Sequence, residues 1–118
     1  MGAIDRNDNK NNQFMIGDVL WMGDDYQSYP YDFSGCLRWY DGEIEWLKDG
    51  KLHRDPDPVT GEVEPASIRP DGSRYWFRHG RNHRADGPAI LYANGEAEWF
   101  FEGTSYGFGP DKPKDFPV

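Results

Sequence analysis

Between residues 42 and 103, runs in which apolar or aromatic side chains alternate with polar ones are bounded by glycine-containing dipeptides. The segments Glu43–Lys48, Arg74–Arg78 and Glu96–Phe101 are of strand length and rich in β-branched or aromatic residues. Strand alternation places Ile44, Trp46 and Lys48 on one face, with Arg74, Trp76, Arg78 and Ala97, Trp99, Phe101 as their equivalents. The opposite face carries Leu47, Tyr75, Phe77 and Phe100 among the acids Glu45 and Glu98. Asp41-Gly42, Asp49-Gly50, Asp71-Gly72 and Asn94-Gly95 suit two-residue hairpin turns, whose central residues take positive φ. No segment of helical length shows a helical period. The pattern predicts an all-β chain folded as an antiparallel meander.

The alternating segments also repeat. Trp46, Trp76 and Trp99 each stand four residues after a glycine (Gly42, Gly72, Gly95), and a second glycine follows four residues later (Gly50, Gly80, Gly103). Behind two of these come His53-Arg54 and His83-Arg84, then Pro65-Ala66 and Pro88-Ala89. The unit from Gly72 to Gly95 is 23 residues long and the one from Gly42 to Gly72 is 30. The extra length falls in 55–62, a turn-rich stretch predicted to be a surface loop. A degenerate copy opens at Gly17, with Trp21 four residues on. Units opening near 17, 42, 72 and 95 therefore make up one tandem-hairpin domain over residues 14–106. One hairpin cannot bury its rings alone, whereas stacked hairpins can. The ends read differently: 1–13 as disordered, 14–35 as an aromatic cap that includes Tyr26, and 107–118 as an extended tail unless a partner or its own sheet holds it.

Composition sharpens this picture. Five Trp, seven Tyr and seven Phe among 118 residues mark a folded chain whose core is made of rings. The formal net charge of −8 argues against a nucleic-acid backbone or an anionic membrane as partner. It suits an acidic surface that docks on a basic protein. Cys36 stands alone, which excludes an internal disulfide and a cysteine zinc cluster, and it occupies the place of Ala66 and Ala89 in the later units. No signal peptide or membrane-spanning run is visible, so the chain is expected to be soluble and cytoplasmic.

The period, the string Gly80-Arg81-Asn82-His83 and the run Tyr92-Ala93-Asn94-Gly95 resemble MORN repeats. His83-Arg84-Ala85-Asp86-Gly87-Pro88-Ala89 is similar to a MORN-like variant found in bacterial, phage and giant-virus proteins. The resemblance spans roughly residues 36–103. It implies a curved or elongated β-meander used for interaction, and no catalytic chemistry. Arg84, where the standard family has glycine, and the 55–62 insertion depart from that family.

Three function classes follow. The leading one is a non-enzymatic protein-interaction module, an acidic inhibitor or adaptor of phage or bacterial type. It would dock on a basic, nucleic-acid-handling protein through Glu45, Tyr75, Phe77, Glu98 and Phe100. A second is a binder of small ligands or glycans that uses exposed rings. The third is a hydrolase in which His53 or His83 acts as a base beside Asp55 or Asp86. Because His53, Arg54, His83 and Arg84 recur at one repeat position, they are expected to build the unit, as are Trp46, Trp76 and Trp99. In that role the imidazoles would pack on tryptophans and the arginines would bond turn carbonyls or an aspartate. No metal site, cofactor, phosphate-cradling loop or nucleophile motif is expected.

Overall fold

The computed structural model describes residues 14–16, 19–22 and 29–118. The expected disordered 1–13, the glycine at 17 that opens the degenerate unit and the ring of Tyr26 lie outside them. Every element in the described residues is a β-strand: β1 Phe14–Ile16, β2 Val19–Trp21, β3 Gly35–Arg38, β4 Ile44–Lys48, β5 Lys51–Leu52, β6 Ser67–Ile68, β7 Arg74–Tyr75, β8 Phe77–Arg78, β9 Arg81–Asn82, β10 Ile90–Leu91, β11 Ala97–Phe101 and β12 Thr104–Phe108. The main sheet runs β1-β2-β3-β4-β6-β7-β10-β11-β12, with β5 pairing β4, and β8-β9 form a separate hairpin. The all-β meander is the observed fold.

Along one edge, β4 serves two partners. The start of β4 pairs β6, while its end turns over into β5. Beyond the paired residues, the N–H of Trp46 donates to the Ala66 carbonyl and that of Trp76 to the Ala89 carbonyl. One register row crosses the sheet as Leu20, Leu37, Glu45, Ser67, Tyr75, Ile90, Glu98 and Phe108. The neighbouring row, with Cys36 opposite Trp46, points to the other face.

Two covering segments complete the core. Leu20, Met22, Leu37 and Leu47 pack together beneath Tyr29, Phe33 and Trp39. On the tryptophan face, Trp76 and Trp99 are each 5% exposed, while Trp46 is half-buried under the Arg54 guanidinium, 3.8 Å from the ring centroid. Cys36, Ala66 and Ala89 are buried. Burial raises the Cys36 thiol pKa against the pull of Arg38 and Arg54.

The structure departs from the sequence expectation in three places. β2 and β3 pair in parallel. The chain from Met22 to Ser34 is long enough to return it to the same end of the sheet. Second, Gly42, Gly72 and Gly95 have positive φ, but Asp41, Asp71 and Asn94 before them do not. The glycine N–H instead closes on the residue three back, and the Asp or Asn side chain accepts from the N–H two residues on. This is a type I turn with a bulge glycine. The two-residue turns are Asp49-Gly50, His79-Gly80 and Glu102-Gly103, where both residues have positive φ. Third, the boundary at 106/107 falls inside β12, and the tail is held by its own sheet. Phe116 is buried and meets Trp99 edge-on at 5.1 Å, with Phe101 and Tyr106 around it.

Candidate interaction face and the histidine turns

The histidines are built into the turns. His53 N–H donates to the Trp46 carbonyl and His83 N–H to that of Trp76, which fixes each ring beside the following hairpin. There His53 Nδ1 accepts from the His79 N–H at 3.0 Å, and His83 Nδ1 accepts from the Glu102 N–H at 2.9 Å. His79 and Glu102 are the positive-φ residues that open the next two-residue turn. Each histidine therefore satisfies a donor of the neighbouring unit. Accepting at Nδ1 places the proton of a neutral ring on Nε2, and His53 Nε2 lies 2.7 Å from Asp55 Oδ1. That bond holds the Asp55 carboxyl below the usual range. Neither ring nitrogen of His53 is left free. Burial lowers the His83 pKa, and the nearby Arg78 lowers it further.

The arginines, not the histidines, cover the tryptophans. Arg84 lies 4.1 Å above Trp76, as Arg54 lies above Trp46. Their guanidinium groups donate to the Pro65 and Pro88 carbonyls, and Arg84 also bonds Asp86 at 3.0 Å. A planar cation stacks on an indole and still bonds in its own plane, whereas the imidazoles are engaged by the turns. His53 stacks on His79 and His83 lies against Phe101. Both repeat histidines line a cleft of about 460 Å³ between the units, together with Asp55, Phe77, Arg84 and Asp86. Among the described residues no group of three His, Cys, Asp or Glu side chains is gathered as metal ligands.

The five residues expected to bind share one face but not one environment. Glu45 sits near the covered end and accepts from Trp39 Nε1 at 2.9 Å. Tyr75 and Phe77 stack at 6.4 Å and are half-buried, as is Phe100. Both oxygens of Glu98 are engaged, Oε1 by the Tyr92 hydroxyl at 2.8 Å and Oε2 by Ser105 at 2.9 Å. Burial and that carboxylate push the Tyr92 pKa up to about 12.

Sequence reasoning missed several members of this face. Tyr92 meets Tyr75 edge-on and stacks on Phe108, which is 64% exposed, so the aromatic strip runs Phe77, Tyr75, Tyr92, Phe108. Tyr92 occupies the repeat position of Trp39 and Arg69, which was the available signal. Glu43, Glu45, Glu96 and Glu98 are the acids of this face, and Arg69 is the cation set among them. Arg69 lies 3.9 Å from Glu43 and over the Tyr75 ring. The Glu43 carboxyl is raised, first by burial and then by repulsion from Glu45, which Arg69 offsets in part. The face thus carries negative charge beyond what its own cation balances.

Among the described residues no helix is long and apolar enough to cross a membrane. Compared with protein-family models, curated proteins and solved structures, the chain matches none.

Proposed function

We propose that this protein acts by binding, as an acidic interaction module of the inhibitor or adaptor kind. Its partner is a basic protein, of the sort that handles nucleic acid. The observation that carries the reading is the Glu43–Glu45 pair beside an open aromatic strip. Two adjacent carboxylates with one guanidinium leave repulsion that an incoming lysine or arginine would relieve. The rings of Tyr75, Phe77, Tyr92 and Phe108 offer apolar area and cation–π contact to the same groups. The repeat histidines support a binding role, because their Nδ1 atoms are engaged by turn N–H groups. Under this reading the chain is not an enzyme and needs no cofactor, and His53, Arg54, His83 and Arg84 serve the MORN-like unit.

The test is charge removal without loss of hydrogen bonds. Glu45→Gln plus Glu98→Gln retains an acceptor for Trp39 and Tyr92 while removing two charges. Capture of the basic partner should weaken, and wild-type binding should fall steeply as salt rises. Unchanged capture by the folded double variant would defeat the reading. The second reading, a small-ligand or glycan site on the exposed rings, is favoured by Phe108 stacked on Tyr92. It expects salt-insensitive binding that Phe108→Ala abolishes.

A further inference from the structure

The edge built by the two-residue turns has a charge opposite to that of the whole molecule. In β4-β5 the residues directly across the turn are Lys48 and Lys51, and in β8-β9 they are Arg78 and Arg81. Like charges facing each other across a hairpin are destabilising, yet two successive hairpins place them there. Lys48 has Asp55 3.7 Å away. For Lys51, Arg78 and Arg81 no carboxylate lies within ion-pair distance among the described residues.

The stems of Lys51 and Arg81 pack along neighbouring turns. A Cβ at Gly80 would sit 3.6 Å from the carbons of Lys51, and one at Gly103 would sit 3.6 Å from those of Arg81. Each apolar stem therefore lies along the neighbouring turn glycine, and its charged head is carried at the rim. Lys51, Arg78, His79, Arg81 and His83 line one cleft of about 350 Å³, with Glu102 as the acid among them. The charge of Arg78 is among the causes that lower both His79 and His83, in each case behind burial.

We infer that this turn-edge cleft is an anion site for a compact phosphorylated small molecule, with a diphosphate group as the smallest full occupant. Two guanidinium forks and an ammonium match the oxygens and charge of adjoining phosphoryl groups better than those of a single carboxylate. The ligand is small rather than polymeric because the protein is acidic. Its net −8 is screened beyond a Debye length of about 8 Å, so a compact anion in the cleft meets mainly the local cations. A long polyanion would also run across the acidic surface. This inference is independent of the acidic face, since it uses other residues on another edge.

Titration of the full chain with inorganic pyrophosphate at an ionic strength of about 0.15 M tests it, using wild type, Lys51→Gln and the double variant Arg78→Gln plus Arg81→Gln. Wild type should bind pyrophosphate more tightly than monophosphate, and the double variant should lose on the order of tenfold to a hundredfold in affinity. Pyrophosphate should raise the melting temperature of wild type and leave that of the double variant unchanged. Without ligand, the double variant should melt no lower than wild type, because it relieves a like-charge pair. A structural role for the arginines would instead lower its melting temperature. Undiminished binding by the folded double variant, or no pyrophosphate binding by wild type, overturns the site. Binding confined to a single-stranded oligonucleotide or to anionic phospholipid vesicles overturns the small-ligand assignment.

Discussion

The acidic face lies along one continuous register row, and its two ends differ in what lies on top. At the N-terminal end, Leu37 and Leu47 are sealed under Tyr29, Phe33 and Trp39. At the other end, the counterparts of Leu47 are Phe77 and Phe100, both half-buried, with Phe108 exposed beside them. The hairpin scaffold is the same, so the difference comes from the chain that folds over it. The segment before β3 crosses the first unit, and among the described residues nothing crosses the later ones. On the reverse face Phe116 packs on Trp99, and the Val63 carbonyl accepts from Trp76 Nε1. A sheet of short hairpins becomes a core where a covering segment lies on it. Elsewhere it stays an aromatic surface available to a partner.

The largest effect should appear when equivalent positions at the two ends are truncated. Leu47→Ala removes a fully packed side chain and should cost about 2–5 kcal/mol of unfolding free energy. Phe77→Ala, on the open end, should cost about 1–2 kcal/mol, because much of that ring is already in water. Chemical denaturation of both variants checks the contrast. Equal losses would mean that the open end is covered in the isolated protein.

A second pair of variants probes how the cover is attached. Gly50 donates its N–H to the Phe33 carbonyl, and a Cβ there would lie 1.8 Å from the Tyr31 carbonyl oxygen. Gly95 has a similar φ of +92° but nothing within 4 Å of its Cβ position. Gly50→Ala should therefore cost about 2–4 kcal/mol, conformational strain plus displacement of the covering segment. Gly95→Ala should cost about 1 kcal/mol from strain alone, and Gly95→Val somewhat more. Melting temperatures of the three variants check that order.

Turn chemistry and strand alternation are local, which is why so much of this arrangement was legible in the sequence. The tryptophan face, the buried small residues Cys36, Ala66 and Ala89, and the positive φ of the repeat glycines follow from spacing. What was hidden depends on distant partners. Asp-Gly opens a two-residue turn at Asp49 but a type I bulge turn at Asp41 and Asp71, and the difference lies in the strand register. The recurrence of the His-Arg pair was legible, but the division of labour between imidazole and guanidinium was not. That depends on the next hairpin bringing a turn N–H to the imidazole. Phe116 stands alone in a proline-rich tail, with no periodicity to mark it as a cap. The candidate face was legible by residue type at Tyr75, Phe77 and Phe100, while the network around Glu98 requires Tyr92 and Ser105 to converge from either side.

Acid should weaken the histidine-pinned turns by a smaller amount. The His83 and His79 pKa values are depressed, so as pH falls the unfolded chain takes up the proton first. Stability from these groups is then full above the unfolded value of about 6.5 and declines as pH drops through it. Protonation of Nδ1 also ends its acceptance from the Glu102 N–H. His83→Gln should lower the melting temperature near neutrality and flatten its decline between about pH 7 and 5. An equally steep decline in that variant would assign the effect to other groups.

The smallest effect is expected from shortening the 55–62 loop, which also tests whether covering the reverse face depends on that whole stretch. Its residues are exposed and bonded chiefly to one another: Asp57 Oδ1 accepts from the N–H groups of Val59 and Thr60, and the Gly61 N–H returns to the Asp57 carbonyl. Those two N–H groups hold the Asp57 carboxyl below its usual range, a local effect within an exposed turn. The contacts that reach the body lie at its margins, where Asp55 meets His53 and Val63 meets Trp76. A variant that keeps Asp55 and Val63 but replaces 57–61 with a shorter turn should change stability by no more than about 0.5 kcal/mol, since closure entropy varies slowly with loop length. Thermal unfolding, with tryptophan fluorescence as the probe, measures it. A loss of several kcal/mol would make the insertion part of the cover on Trp76, and the reverse face would then be sealed by three segments: the tail, the arginines and the loop.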